Sequence, residues 1–385
     1  MITTINNEQK KLNVPNLRFK EFQREWEKTK FGDIAIVVGG GTPDTNTSQY
    51  WNGKIQWFTP SEIGRNKYVY NSVRTISEEG LNKSSAKLLP IGTILLSSRA
   101  TVGECSINKK ECTTNQGFQS LIPKENISNE FVYYLIQTKR KDLIRKSCGS
   151  TFLEISANEI RKIVVSIPTI KEQDKIAKLL SLLDERIATQ NKIIEDLKKL
   201  KSAISKKLLC NDKWATYKIQ DIAEIGRGRV ISSVEINRQK HPLYPVYSSQ
   251  TSNNGIMGYL DNYMFDGEYI TWTTDGANAG TVFYRKGKFN CTNVCGTLKI
   301  QPKFDCYFVS LVLQQATQKY VSSNLANPKL MNNTMASIKI KMPNIETQKQ
   351  LSKVFQALDG CLSIHQRTCE MYLKEKQYLL RQMFI

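Results

Sequence analysis

The clearest pattern in the chain lies between Lys171 and Leu209, where apolar residues fall at Ile176, Leu180, Leu183, Ile187, Ile194, Leu197, Ile204 and Leu208. Steps of four, three and seven mark a coiled-coil seam, so the stretch predicts one long amphipathic helix. Pro168 stands just ahead, where proline can precede a helix without breaking it. The pattern returns as Leu351, Phe355, Leu358, Leu362, Cys369, Tyr372, Leu379 and Met383, in the same register shifted by 175 positions. The polar breaks repeat as well, Gln190 with His365 and Lys201 with Lys376. Flaws shared by both copies point to common descent and a register device. At helical rise the first copy spans roughly 58 Å. So narrow an apolar stripe cannot keep a lone helix folded, so the two are expected to pack on each other. An antiparallel pair would relate the halves by a pseudo-twofold axis.

The remaining sequence has a different texture. Gly92–Ser97, Ile163–Ile167, Glu268–Trp272 and Ile338–Met342 are short β-branched or aromatic runs between glycine and asparagine turns, and these read as strands. Asn129–Lys139 reads as a helix. Here too the chain repeats. Trp26 and Asp33-Ile34-Ala35 return as Trp214 and Asp221-Ile222-Ala223, Gly103 as Gly280, and Thr114-Asn115 as Thr292-Asn293. Phe131–Gln137 aligns with Phe308–Gln314, and Pro168, Gln173, Asp184 and Glu195 with Pro343, Gln348, Asp359 and Glu370. The expected architecture is α+β: two similar globules, 1–166 and 211–341, separated by two long helices, 167–210 and 342–385, packed as an antiparallel coiled coil.

Composition adds a partner to this picture. The 385 residues are 40% hydrophobic, with 14 Phe, 16 Tyr and 5 Trp, which supports real cores and excludes a disordered chain. Lys and Arg number 55 against 35 acidic residues, a net charge of +20. Self-repulsion on that scale is relieved by a polyanion, so nucleic acid is the natural partner. The opening MITTINNEQKKL has no apolar core of signal-peptide length, and no window approaches a membrane span. Nine scattered cysteines show no zinc spacing, so reduced thiols and a cytoplasmic location are expected.

Catalytic motifs are missing. No G-x-x-x-x-G-K-[ST] is present, and Gly39-Gly40-Gly41 reads as a flexible loop only. Pro43-Asp44 is followed by no Glu-x-Lys or Asp-x-Lys at usable distance, and no N/D-P-P-aromatic tetrapeptide or S-adenosylmethionine loop occurs. His241, in a loop before a proline, and His365, on the seam, read as structural. The expectation is a chain with no catalytic residues, metal or cofactor of its own.

The loops instead carry groups suited to bases and phosphates. In half one these are Ser97, Ser98, Arg99, Thr101, Lys109, Lys110, Asn115, Gln116 and Gln119. In half two they are Arg227, Arg229, Ser248, Gln250, Asn253, Thr273, Thr274, Asn278, Arg285, Lys286 and Lys288. Arginine reads guanine, asparagine or glutamine reads adenine, and lysine clamps phosphates. Corresponding loops differ, Arg99 aligning with Gly276, so two scaffolds would read two different short sequences.

The chain resembles type I restriction–modification specificity subunits along essentially its whole length. The match is carried by Pro15-Asn-Leu-Arg18-Phe19 leading to Trp26, Ile167-Pro168-Thr-Ile-Lys-Glu172-Gln173, Met342-Pro343-Asn-Ile-Glu-Thr-Gln348 and the ending Leu380-Arg-Gln-Met-Phe384. The resemblance implies two target-recognition domains reading a bipartite DNA target. It also implies two methyltransferase subunits docked largely on the helices, where Gln173, Asp184, Gln348 and Asp359 would serve, and restriction subunits that complete the nuclease. S-adenosylmethionine, ATP and Mg²⁺ would then act on those partners. One departure is that Glu346-Thr347-Gln348 displaces the Glu-Gln pair of the first copy, which bears on a capping or docking role there. Two other classes remain open: a stand-alone nuclease or methyltransferase, and a coiled-coil scaffold whose charge serves an acidic protein.

Overall fold

The computed structural model describes residues 12–149, 153–209, 211–322 and 327–385. The chain divides into two compact units, one holding 1–190 with 368–385, the other 191–367.

The main sheet of unit one runs, edge to edge, Ala35–Gly39, Gln119–Pro123, Ile94–Leu96, Cys105–Asn108 and Tyr68–Val69. The first four strands pair antiparallel and the last joins parallel. A second sheet has Trp51–Phe58 between Arg74–Ile76, antiparallel, and Cys112–Thr114, parallel. A two-stranded ladder of Glu27–Lys30 with Val164–Ile167 leads into the first long helix. The helix Asn129–Thr138 falls within the stretch expected to be helical. Phe131 to Ile136 are all buried, which fits a helix inside the core better than one on its surface.

Unit two has the same plan. Its main sheet runs Ala223–Arg227, Cys295–Ile300, Glu268–Thr273 and Val282–Lys286, all antiparallel. Its second sheet has Tyr244–Tyr247 between Ile256–Leu260, antiparallel, and Asn290–Cys291, parallel. The ladder is Ala215–Lys218 with Lys339–Met342, and the core helix is Cys306–Ala316. Four strands of the main sheet, the second sheet, the ladder and the core helix match in order and direction, and Tyr68–Val69 is an additional edge strand of unit one, so the internal repeat is one α+β fold built twice.

The long helices cover Ile170–Leu208 and Ile345–Gln382. In unit one they pack antiparallel: Lys376 Nζ meets Asp184 Oδ1 at 2.6 Å, and Arg186 Nη1 donates to the Tyr372 hydroxyl at 3.4 Å. In unit two Lys201 pairs with Asp359, the same contact with the helices exchanged. Each unit anchors the start of one long helix and the end of the other. Ile176, Ala177 and Leu180 join Met383 and Phe384 in the core of unit one. Phe384 stacks on Phe131 at 5.2 Å and meets the edge of Trp26 at 6.3 Å. In unit two Leu351, Phe355 and Leu358 take those places with Ile204 and Leu209, and Trp214 lies 5.9 Å from Phe308. Between these anchors the seam residues Ile187, Ile194 and Leu197 are half-buried, as in a two-helix seam flanked by water. Leu208 is a correction: it faces solvent, and Leu209 takes the buried position just beyond the helix.

Candidate nucleic-acid interface

In each unit, backbone hydrogen bonds hold several loops side by side at one end of the main sheet. In unit one, Gly41 N–H donates to Thr114 O at 2.8 Å, Ser98 N–H to Gly117 O at 2.9 Å, and Ala100 N–H to Leu153 O at 3.2 Å. In unit two, Arg229 N–H donates to Cys291 O at 3.2 Å, Thr274 N–H to Val294 O at 2.9 Å, and Gly276 N–H to Pro328 O at 3.0 Å. The approach is close enough to require glycine. A Cβ on Gly40 would lie 2.0 Å from Asn115 O, and one on Gly228 would lie 2.1 Å from Cys291 O. The Gly39-Gly40-Gly41 run is therefore a packed crossing, and the expectation of a merely flexible loop is corrected. Arg227 and Arg229 occupy the places of Gly39 and Gly41 in unit two.

The hydrogen bonds also correct the alignment of the hairpin loops. Ala100, with φ 62°, and Gly276, with φ 92°, share the left-handed conformation and donate to carbonyls at equivalent places, Leu153 O and Pro328 O. Arg99 therefore corresponds to Asp275, and Gly276 corresponds to Ala100 rather than Arg99. From Gly103 and Gly280 onward a constant shift of 177 holds, so the tip in unit two is one residue longer, and Thr114 corresponds to Cys291, which corrects the pairing of Thr114-Asn115 with Thr292-Asn293.

Five of the expected reading residues lie inside the protein. Ser97, Ser98, Thr273, Thr274 and Arg285 are at most 3% exposed. Ser97 Oγ donates to Arg99 O at 3.0 Å and lies 2.9 Å from the hydroxyl of the exposed Thr101. Thr274 Oγ1 donates to Asp275 at 2.6 Å. Ser98 Oγ and Thr273 Oγ1 have no hydrogen-bond partner among the described residues. Arg285 lies 3.5 Å from the centre of the Tyr247 ring and donates to Thr271 Oγ1 at 3.2 Å. Burial pulls its guanidinium below arginine's ordinary value. These five shape the loops from beneath, and a surface role in reading is corrected for them.

The others lie at or near the surface but do not form one cluster. Arg99 is held in a two-pronged ion pair by Glu154. Asn115 caps its own turn through Gly117 N–H, and Gln116 accepts from the Thr42 hydroxyl. Gln119 lies within the sheet opposite Gly39. In unit two, Arg229 is gripped by Glu235, while Arg227 is exposed beside Met331. Ser248 accepts from Thr292 at 3.3 Å, Gln250 donates to Ile256 O, and Asn278 reaches Ser249 O at 3.4 Å. Asn253 is exposed in a left-handed turn with φ 48°. The lysines stand apart from this group. Lys109 and Lys110 follow Cys105–Asn108 at its end away from the 97–104 loop, over Tyr68 and beside Asn71 respectively. Lys286 and Lys288 hold the matching position in unit two, paired with Glu268 and lying over Tyr263.

The helix residues expected to dock partners are engaged within the chain. Gln173 is buried; its Oε1 accepts from Ser128 N–H at 2.9 Å and its Nε2 donates to Pro168 O at 2.9 Å. Gln348 does the same with Asp305 N–H at 3.0 Å and Pro343 O at 2.8 Å. Both tie a long helix to the start of a core helix, so the displaced Glu-Gln pair leaves this role intact in the second copy. Asp184 accepts from Tyr134 as well as Lys376, and Asp359 from Tyr307 as well as Lys201. Glu172 is 1% exposed and holds Arg18 at 2.7 and 2.8 Å and Trp26 Nε1 at 3.3 Å. Gln173 and Gln348 are buried, which corrects their assignment to a partner surface, whereas Asp184 and Asp359 remain partly exposed beside their intrachain partners.

The sequence reading missed Glu154 and Lys329. Asp275 pairs with Lys329 at 3.7 Å where Arg99 pairs with Glu154 in unit one. Within each unit a matching bridge pairs the strip with the chain just ahead of it, Cys148 with Glu154 and Ser322 with Lys329. The 175-residue shift relating 154 to 329 was the signal available for finding them. Among the described residues, no group of three or more His, Cys, Asp and Glu is placed to hold a metal. No described helix is long and apolar enough to cross a membrane.

The chain matches the family described as the type I restriction modification DNA specificity domain over residues 23–199 and again over 211–370. It is 40% identical over 181 residues to the MjaIX specificity subunit of a type I restriction enzyme from Methanocaldococcus jannaschii. That match covers 46% of this chain and only 42% of the relative. A Mycoplasma pneumoniae protein named as a type I specificity subunit is 36% identical over 229 residues, covering 58% of this chain and 95% of the relative. The fold is similar to the S subunit of a type I restriction–modification system from M. genitalium. The TM-score is 0.68 at 17% identity, covering 97% of this chain and 99% of the other. With two copies of the family domain spanning most of its length, the chain belongs to the type I restriction–modification DNA specificity family, whose members are specificity and not catalytic subunits.

Proposed function

We propose that the chain reads a bipartite, asymmetric DNA target, one half-site through the loops of each unit, and directs methylation and cleavage by other subunits. The observation that carries this reading is the doubled loop scaffold. Equivalent backbone positions carry glycines in one copy and Arg227 and Arg229 in the other, and an Arg–Glu pair in one and an Asp–Lys pair in the other. One frame with two sets of exposed groups recognises two different short sequences. The domain plan is then 1–166 and 211–341 as target-recognition domains, with 167–210 and 342–385 as helices that hold the half-sites a fixed distance apart.

The net charge of +20 supplies affinity that is independent of sequence. Two modification subunits and the restriction subunits complete the enzyme in the cell interior. S-adenosylmethionine, ATP and Mg²⁺ serve those partners, and this chain needs no cofactor. Methylation profiling of DNA from cells carrying this chain with its partner subunits tests the proposal. A split motif with unequal arms is expected, and a continuous motif would contradict it.

A further inference from the structure

The ion pairs Arg99–Glu154 and Asp275–Lys329 occupy the same place in the two units with their charges exchanged. In unit one the cation sits on the hairpin loop and the carboxylate on the strip that follows the core helix. In unit two the carboxylate is on the loop and the cation on the strip. Correspondence rests on backbone geometry, independently of the charges. Ala100 and Gly276, next in sequence, are both left-handed, and they donate to Leu153 O and Pro328 O, the residues just ahead of Glu154 and Lys329. Both pairs reach the surface, at 44% exposure for each member in unit one and 24% and 41% for Asp275 and Lys329. Burial therefore does not explain why a pair is kept there, and exposed ion pairs contribute little to stability.

We propose that these four residues determine specificity, the hairpin member of each pair meeting a base edge while the strip member sets its orientation. This rests on the reading of the chain as a two-armed DNA reader and adds which residues distinguish the arms. A guanidinium fits the O6 and N7 acceptors of guanine, whereas a carboxylate accepts from the N4 amino group of cytosine. Exchanging donor and acceptor on one frame reverses the G·C orientation that the frame accepts. Arg99 favours guanine and Asp275 favours cytosine at the equivalent position of the two arms.

The test replaces the pair of unit one with that of unit two, as Arg99→Asp with Glu154→Lys, in cells carrying the partner subunits, and maps the methylated motif. The expected result is one changed base in one arm, the other arm unchanged, with preference at that position shifting by roughly tenfold or more. An unchanged motif in a variant of wild-type thermal midpoint would overturn the proposal. If the double variant methylates nothing, Glu154→Gln decides: it keeps the shape and loses the charge. Relaxed base identity at the same position supports the proposal, and undiminished discrimination there overturns it. A continuous wild-type motif would contradict the two-armed reading itself, before any substitution is scored.

Discussion

Asp184 takes an ion pair from Lys376 at 2.6 Å, and a shift of 175 positions turns that pair into Asp359 and Lys201, which meet in the other unit. The contact is thus made twice by one repeated sequence, each helix giving its carboxylate to one pair and its lysine to the other. Tyrosine hydroxyls fix both carboxylates, Tyr134 at 2.7 Å and Tyr307 at 2.5 Å, although these tyrosines stand at different positions of their core helices. Asp184→Ala should lower unfolding stability by about 1–3 kcal/mol, since it removes a charged acceptor from a partly buried tyrosine and lysine. A double-mutant cycle with Lys376→Met, followed by urea unfolding, should show coupling; strict additivity would mean that the pair does not form.

Glu172 has no equivalent in the second copy, where Thr347 stands. Glu172→Ala removes the carboxylate partner of the partly buried Arg18 and of the buried Trp26 N–H, and should cost about 1–3 kcal/mol. Thr347→Ala should change little. Denaturant melts of the two variants provide the comparison, and similar losses would contradict it.

Gln173 and Gln348 make matching bonds, so Gln173→Leu and Gln348→Leu should each destabilise by about 1–3 kcal/mol. Both should leave the methylated sequence unchanged, because neither residue reaches the surface. Loss of methylation in a variant that remains folded would restore a docking role.

Burial pushes the Cys295 thiol up to about 11 and that of Cys112 up to about 12. Both should resist iodoacetamide at pH 8, while the exposed Cys148 and Cys361 react. The folded values lie above the ordinary thiol value of 9.0, so the unfolded chain loses these protons first as pH rises. Each buried thiol therefore stabilises the fold fully below about pH 9, and the contribution is lost as pH climbs through its folded value. Peptide mapping after labelling checks the first point, and melts from pH 8 to 11 the second.

How much the sequence disclosed depended on whether a feature had a period. The long helices and their seam follow from apolar spacing, which records burial directly. The twin folds follow from the fixed shifts between copies. Loop chemistry has no period, so polar residues there do not show which way they face. Ser97, Thr273 and Arg285 look like readers in sequence and lie beneath the surface. One added residue at the tip of unit two hid the match of Arg99 with Asp275. Gln173 and Gln348 illustrate another limit: a buried cap and an exposed dock use the same side chain at the same spacing.

The claim on which the rest depends is that the two copies read separate half-sites across an unread gap set by the length of the long helices, and one measurement addresses it most directly. Residues 187–193 and 362–368 are one heptad in each long helix, and removing both preserves the seam register. Each helix then shortens by about 10 Å. Methylation profiling with partner subunits should return both original arms with an unread gap about three base pairs shorter. Altered arms, or an unchanged gap, would contradict the account.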